Sequence, residues 1–256
     1  MQVPGISGRS EKSLERFAVS SDGKMTAFTL KGGTVAVVDN RTERTSIQVK
    51  MNGTARCVTF APRPQENSHY LVTSGGDAEV YVWDLRYARG IGSSGTGGHR
   101  CLSKWANEGG MPTCGLASSS AYSMFHSSAL HSKSNSLRGG PLAVASESGV
   151  VNIYHGATDE NRGAAPLKCL MNLTTPVETL QFNHDGQLLA MASRWSKNAL
   201  RIVHLPSATV YSNWPTSKSP LNYVFSLDFS PNSGFLAIGN DKGRVLLYRL
   251  RHYSCI

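Results

Sequence analysis

The sequence is short of charge: Asp, Glu, Lys and Arg make up 17% of its 256 residues. Acids are the smaller share, 17 against 26 lysines and arginines. No apolar run approaches the roughly 20 residues that span a bilayer. The opening stretch, MQVPGISGRSEKSLERF, lacks the apolar core of a secretory signal. A soluble intracellular protein with no membrane partner is the expectation. The 5 cysteines, Cys57, Cys101, Cys114, Cys169 and Cys255, show no CxxC pair and no repeated spacing. An odd, dispersed set makes a poor disulfide framework and a poor zinc site, so the thiols read as buried or incidental.

Catalytic motifs are missing too. The glycine-rich GSSGTGG (Gly92–Gly98) is followed by no Lys-Ser/Thr and opens no helical pattern, so it reads as a flexible connection and not a phosphate loop. His126 and His131, in SMFHSSALHSKSNS, have no third ligand beside them. Asp159 and Glu160, in HGATDENRGAAP, and Glu147, at a strand turn, read as solvated turn residues. No spacing nominates a Ser-His-Asp set. The expectation is no catalytic residue, no metal and no cofactor.

What the chain does have is repetition. The stretch GGDAEVYVWDL (Gly75–Leu85) is a tight turn followed by a strand in which Val80 and Val82 alternate with Tyr81 and Trp83. The pattern recurs in FAVSSDGKMTAFTLKGGTVAVVD, in PLAVASESGVVNIYH, in VETLQFNHDGQLLAMASRWSKNALRIVHL and in VFSLDFSPNSGFLAIGNDKGRVLLYRL. Val38, Trp83, Tyr154, Val203 and Tyr248 hold one position, at spacings of 45, 71, 49 and 45 residues. Removing a Ser-rich insertion over 118–140 brings the long interval close to the rest. A period of about 40–45 residues with a Trp-Asp ending marks WD-type propeller blades of four strands each. SIQVKM, RCLSKW, LKCLMNL and TVYSNW supply fourth strands between the copies.

The fold expected is therefore all-β, a WD-repeat β-propeller in one domain over 1–256. Its blades lie near 17–51, 57–105, 114–172, 177–214 and 224–250. One four-stranded sheet cannot bury both faces alone, whereas neighbouring blades bury each other's. Pairs such as Leu227 with Phe229, and Leu236 with Ile238, fill the layers between blades. Gly23, Gly186, Gly234 and Gly243 are placed at turn positions that need positive φ. Thr73, Asp77 and Trp83 stand at the offsets of a structural hydrogen-bond set inside the best blade. The other blades carry little of that set, so apolar packing is expected to hold them. A seven-blade ring at this period needs roughly 300 residues. Five copies ending after a third strand suggest the later blades of such a ring, truncated N-terminally. The alternative is five blades closing by themselves.

The formal charge of +9 favours acidic partners, nucleic acid among them. Arg194, Lys197 and Arg201 crowd one turn, and Lys242, Arg244, Arg249 and Arg251 crowd the last blade and tail. These are the candidate contacts for RNA or an acidic partner. Trp195, Trp214 and Tyr253 lie near enough to stack on unpaired bases.

MNLTTPVETLQFN, RIVHLPSATVYSNWP and FSPNSGFLAIGNDKGRVLLYRLRHYS resemble the U3 small nucleolar RNA-associated protein 18 family, as do SGVVNIY and GDAEVYVWDL. The resemblance covers nearly all the chain outside the Ser-rich insertion and GSSGTGG, and is strongest from Pro141 onward. It implies a nucleolar propeller of the small-subunit processome, a non-catalytic scaffold in maturation of the small-subunit ribosomal RNA. It also implies partners among other propeller and helical-repeat proteins, with U3 small nucleolar RNA and precursor ribosomal RNA in the same particle. The competing readings are a WD-repeat substrate adaptor or signalling scaffold unconnected with RNA, and a propeller enzyme with a site at its central channel.

Overall fold

Near-continuous runs of apolar and small residues, such as PLAVAS and LLAMA, build strands that bury both faces, and such strands form the interior of the structure. The computed structural model describes residues 16–61, 70–86, 101–109, 111–119, 140–155, 165–216 and 218–253. GSSGTGG, most of the Ser-rich insertion with His126 and His131, Asp159, Glu160 and Cys255 lie outside them.

The first sheet holds β1 (Phe17–Val19), β2 (Met25–Thr29), β3 (Thr34–Asp39) and β4 (Arg44–Lys50). The second holds β5 (Ala55–Phe60), β6 (Tyr70–Gly75), β7 (Glu79–Asp84) and β8 (Cys101–Ala106). The third holds β9 (Thr113–Ser118), β10 (Pro141–Ser146), β11 (Val151–His155) and β12 (Lys168–Leu170). The fourth holds β13 (Thr179–Phe182), β14 (Leu188–Ala192), β15 (Leu200–His204) and β16 (Thr209–Val210). A three-stranded sheet of β17 (Val224–Phe229), β18 (Phe235–Asn240) and β19 (Val245–Arg249) completes the described set. Every sheet is an antiparallel meander in sequence order, and the first strands β1, β5, β9, β13 and β17 are successive neighbours. That is a β-propeller, with each first strand innermost.

One apolar cluster fills each gap between adjacent sheets. Val35, Val37 and Val49 of the first sheet meet Leu71, Tyr81 and Trp83 of the second. On the opposite face of the second sheet, Val72, Val80 and Val82 meet Leu142, Val144 and Tyr154 of the third. Leu189 and Met191 of β14 face the third sheet, while Leu188 and Ala190 face the fifth with Leu227, Phe229, Leu236 and Ile238. The period of two thus sends adjacent residues of one strand into two different clusters. Complete burial of a Leu such as Leu71 or Leu189 is worth roughly 1.5–3 kcal/mol.

The turns depart from the sequence reading at one glycine. Gly23, Gly186 and Gly243 adopt positive φ, but in SPNSG the left-handed residue is Ser233 (φ 56) and not Gly234. Ser233 is fully buried, and its hydroxyl accepts a hydrogen bond from the His184 backbone at 3.1 Å, across to the fourth sheet. That anchor holds a serine where its own backbone preference would not.

Candidate nucleic-acid interface

In an antiparallel meander, the turns between second and third strands open at the same end as the links from one sheet to the next. Those segments surround a funnel of about 610 Å³ at the mouth of the central axis. Leu30, Lys31 and Gly32 come from the β2–β3 turn, Thr54, Ala55 and Arg56 from the entry to β5, and Glu147 from the β10–β11 turn. Pro176 and Glu178 lead into β13, and Trp195 projects from the β14–β15 turn. Arg16 lies beside β1 at the edge of the same funnel.

The charges of this mouth are braced both between sheets and within one. Arg56 pairs with Glu147, joining the second sheet to the third. Glu178 uses both carboxylate oxygens: Oε2 accepts from Arg194 Nε at 2.5 Å, and Oε1 accepts from the Trp195 indole at 3.2 Å. The Arg194 guanidinium also lies over the Trp195 ring, 5.6 Å from its centroid. Trp195 nevertheless stays 61% exposed. A large aromatic ring held at its edge, and open on its surface, is a stacking platform. Arg16, Lys31, Arg56 and Arg194 outnumber Glu147 and Glu178, so the mouth is basic on balance.

Glu147 is therefore a bracing residue and not merely a solvated turn carboxylate. Cys114 forms part of the funnel wall, and burial pushes its thiol up to about 12. Cys57 is pushed up to about 12 by the same cause. Both are protonated at neutral pH, which leaves them poor nucleophiles and poor metal ligands. Among the described residues, no three His, Cys, Asp or Glu side chains converge on one point.

The basic candidates do not form one patch. Lys197, in the β14–β15 turn, and Lys242 and Arg244, in the β18–β19 turn, lie at the funnel end with Arg194. Arg249 and Arg251 lie at the opposite end, beyond the length of β19. There they line a second cavity of about 490 Å³ between the fourth and fifth sheets, with Ile202, His204, Trp214 and Tyr248. Arg201 is on the outer wall, donating to the Leu200 carbonyl at 2.7 Å.

The structural set in the second sheet is also divided. Trp83 and Thr73 bond to each other, whereas Asp77 stays in its turn, accepting from the Glu79 backbone at 3.2 Å and from the Tyr81 hydroxyl at 2.8 Å. In the third sheet Tyr154 stands where Trp83 does and donates to Asn107 at 2.9 Å.

No family model matches the chain. Among curated proteins, it is 40% identical to the U3 small nucleolar RNA-associated protein 18 homolog of Arabidopsis thaliana, over 99% of this chain and 40% of that protein. It is 35% identical to the homolog of Homo sapiens, over 98% of this chain and 40% of that protein. The chain is thus similar over nearly its whole length to proteins of the U3 small nucleolar RNA-associated protein 18 family. The chain spans about 40% of the length of those relatives. Its fold matches a chain in the crystal structure of the mitotic checkpoint complex with a TM-score of 0.63 at 16% identity, over 90% of this chain and 60% of that one. At that identity the likeness concerns the fold alone.

Sequence reasoning passed over Arg16, Lys31, Arg56 and Glu178. A signal for two of them exists: Arg56 and Glu178 sit at the same offset before Phe60 and Phe182, the residues that close their first strands. One offset in successive copies returns to one end of the ring. That rule finds the mouth, although it does not reveal which acid braces which cation.

Proposed function

We propose that this chain is a non-catalytic docking platform of the nucleolar small-subunit processome, acting in maturation of the small-subunit ribosomal RNA. The observation that carries this reading is similarity running through 98–99% of the chain to proteins named for association with U3 small nucleolar RNA. Two basic ends on a rigid ring support it, because separate surfaces let several acidic partners dock at once. Its partners in this reading are U3 RNA, precursor ribosomal RNA and other propeller and helical-repeat proteins. The protonated, walled-in Cys114 and the ion-paired Glu147 and Glu178 favour binding over chemistry at the channel mouth.

We also propose that the ring of this family has more than five blades, with seven as the expected number. Phe225, Phe235, Val245 and Leu247 of the last sheet are 54%, 42%, 73% and 64% exposed. They lie on the face turned away from the fourth sheet, where a further blade would bury them.

Co-sedimentation tests the functional reading. The tagged chain is expected in fractions of large pre-ribosomal particles and is expected to leave them after RNase. Migration only in light fractions, indifferent to RNase, would instead indicate a WD-repeat adaptor or signalling scaffold.

A further inference from the structure

We propose that the funnel mouth binds an unpaired RNA nucleotide stacked on Trp195, with the adjoining phosphates among Arg16, Lys31 and Arg194, and that Glu178 is the positioning residue for the platform. The inference deepens the RNA reading above and rests on it.

Three features converge on this ligand. First, Trp195 is large, exposed and fixed: its indole N–H is tied to Glu178, and one side of its ring meets Arg194. An exposed tryptophan free to turn gains little from stacking because ordering it costs side-chain entropy. Here Glu178 has already restricted the ring. Second, the surrounding charge is positive on balance, and phosphates are the groups such a rim attracts. Third, the mouth is a concavity of about 610 Å³, within the roughly 300–1,000 Å³ typical of ligand pockets. A single-stranded segment can place one base inside it, whereas a duplex keeps its bases stacked on each other.

The aromatic ring separates RNA from an acidic peptide. Carboxylates gain from the cations alone and make no use of a flat π-surface. Every base has a π-face, so stacking adds affinity with little sequence preference.

Binding of fluorescein-labelled decauridylate to the chain, measured by anisotropy against a duplex RNA of equal length, tests the proposal. The single strand is expected to bind more tightly than the duplex. Trp195→Ala is expected to weaken it about tenfold without changing the salt slope, and Trp195→Phe to restore most of the loss. Glu178→Ala is the discriminating variant. Removing an acid beside phosphates raises affinity on electrostatic grounds alone, whereas loss of a positioning residue lowers it; a fall is expected. Arg44→Glu, at the start of β4 and so at the other end of the first sheet, serves as the control for global charge, and an unchanged thermal transition shows that each variant is folded.

Decauridylate binding that is insensitive to Trp195→Ala overturns the site and leaves the family reading intact. No binding by a chain that still co-sediments with RNase-sensitive particles overturns this inference alone. Polyglutamate binding lost in Trp195→Ala and Arg194→Ala, with RNA unaffected, replaces the nucleotide with an acidic peptide.

Discussion

The indole N–H of Trp83 donates to the Thr73 hydroxyl at 2.9 Å inside the second sheet, where Trp83 is 6% and Thr73 0% exposed. Thr73→Val strands a buried donor. It is expected to cost about 1–3 kcal/mol in urea unfolding. Adding Trp83→Phe removes the orphaned N–H, so the double variant should lose less than the sum of the single losses. Strict additivity would show that the bond contributes nothing of its own.

Two glycines with similar backbone angles should respond differently to alanine. At Gly149 (φ 89) a Cβ would overlap the Leu173 carbonyl and lie 2.9 Å from the Thr175 nitrogen. At Gly243 (φ 67) the same atom meets nothing within 4 Å. Gly243→Ala is therefore expected to cost only the left-handed backbone term, about 1–2 kcal/mol. Gly149→Ala must add a displacement of the β12–β13 link. Its thermal midpoint should fall clearly further.

Cys57 and Cys114 give the protein a weakness in alkali. Burial raises each folded-state thiol from 9.0 to about 12, so between those values the unfolded chain has released protons that the folded chain still holds. Stability falls with rising pH wherever the folded state binds more protons. The urea midpoint is expected to decline from about pH 9 towards pH 12. Cys57→Ala with Cys114→Ala should flatten that decline, and an unaltered slope would contradict the assignment.

The two basic ends should act independently. Lys242→Glu with Arg244→Glu alters the funnel end, and Arg249→Glu with Arg251→Glu alters the opposite one. Each pair is expected to reduce particle incorporation and to make its salt dependence shallower. The four changes together should combine nearly additively, since the pairs sit at opposite ends of β19. Unchanged incorporation and salt sensitivity in all three variants would remove these residues from the interface.

The open face of the last sheet should make the isolated chain self-associate. Val245 and Leu247 are exposed on β19, an edge strand among the described strands. Exposed apolar edges invite pairing between chains. Sedimentation velocity is expected to show concentration-dependent association that Leu247→Lys relieves. A monomer at every concentration would argue that the face is covered.

Much of this architecture follows from the chain's own pattern. Alternation at a period of two sends Leu71 and Val72, or Leu188 and Leu189, to opposite faces, and the repeat of about 45 residues sets one sheet after another. Those are local rules, and a reader of the sequence can apply them. The Trp83–Thr73 bond is of the same kind, since strand register inside one meander fixes it. Only the packing of one sheet on the next decides that Arg56 meets Glu147, 91 residues away; Glu178 meets Arg194 and Trp195 within one meander, where Thr179 pairs with Ala192. Closing the sheets about one axis brings turns from separate repeats to a single mouth. Lys242 and Arg249, close in sequence, lie at opposite ends by a local rule instead, because the length of β19 separates them.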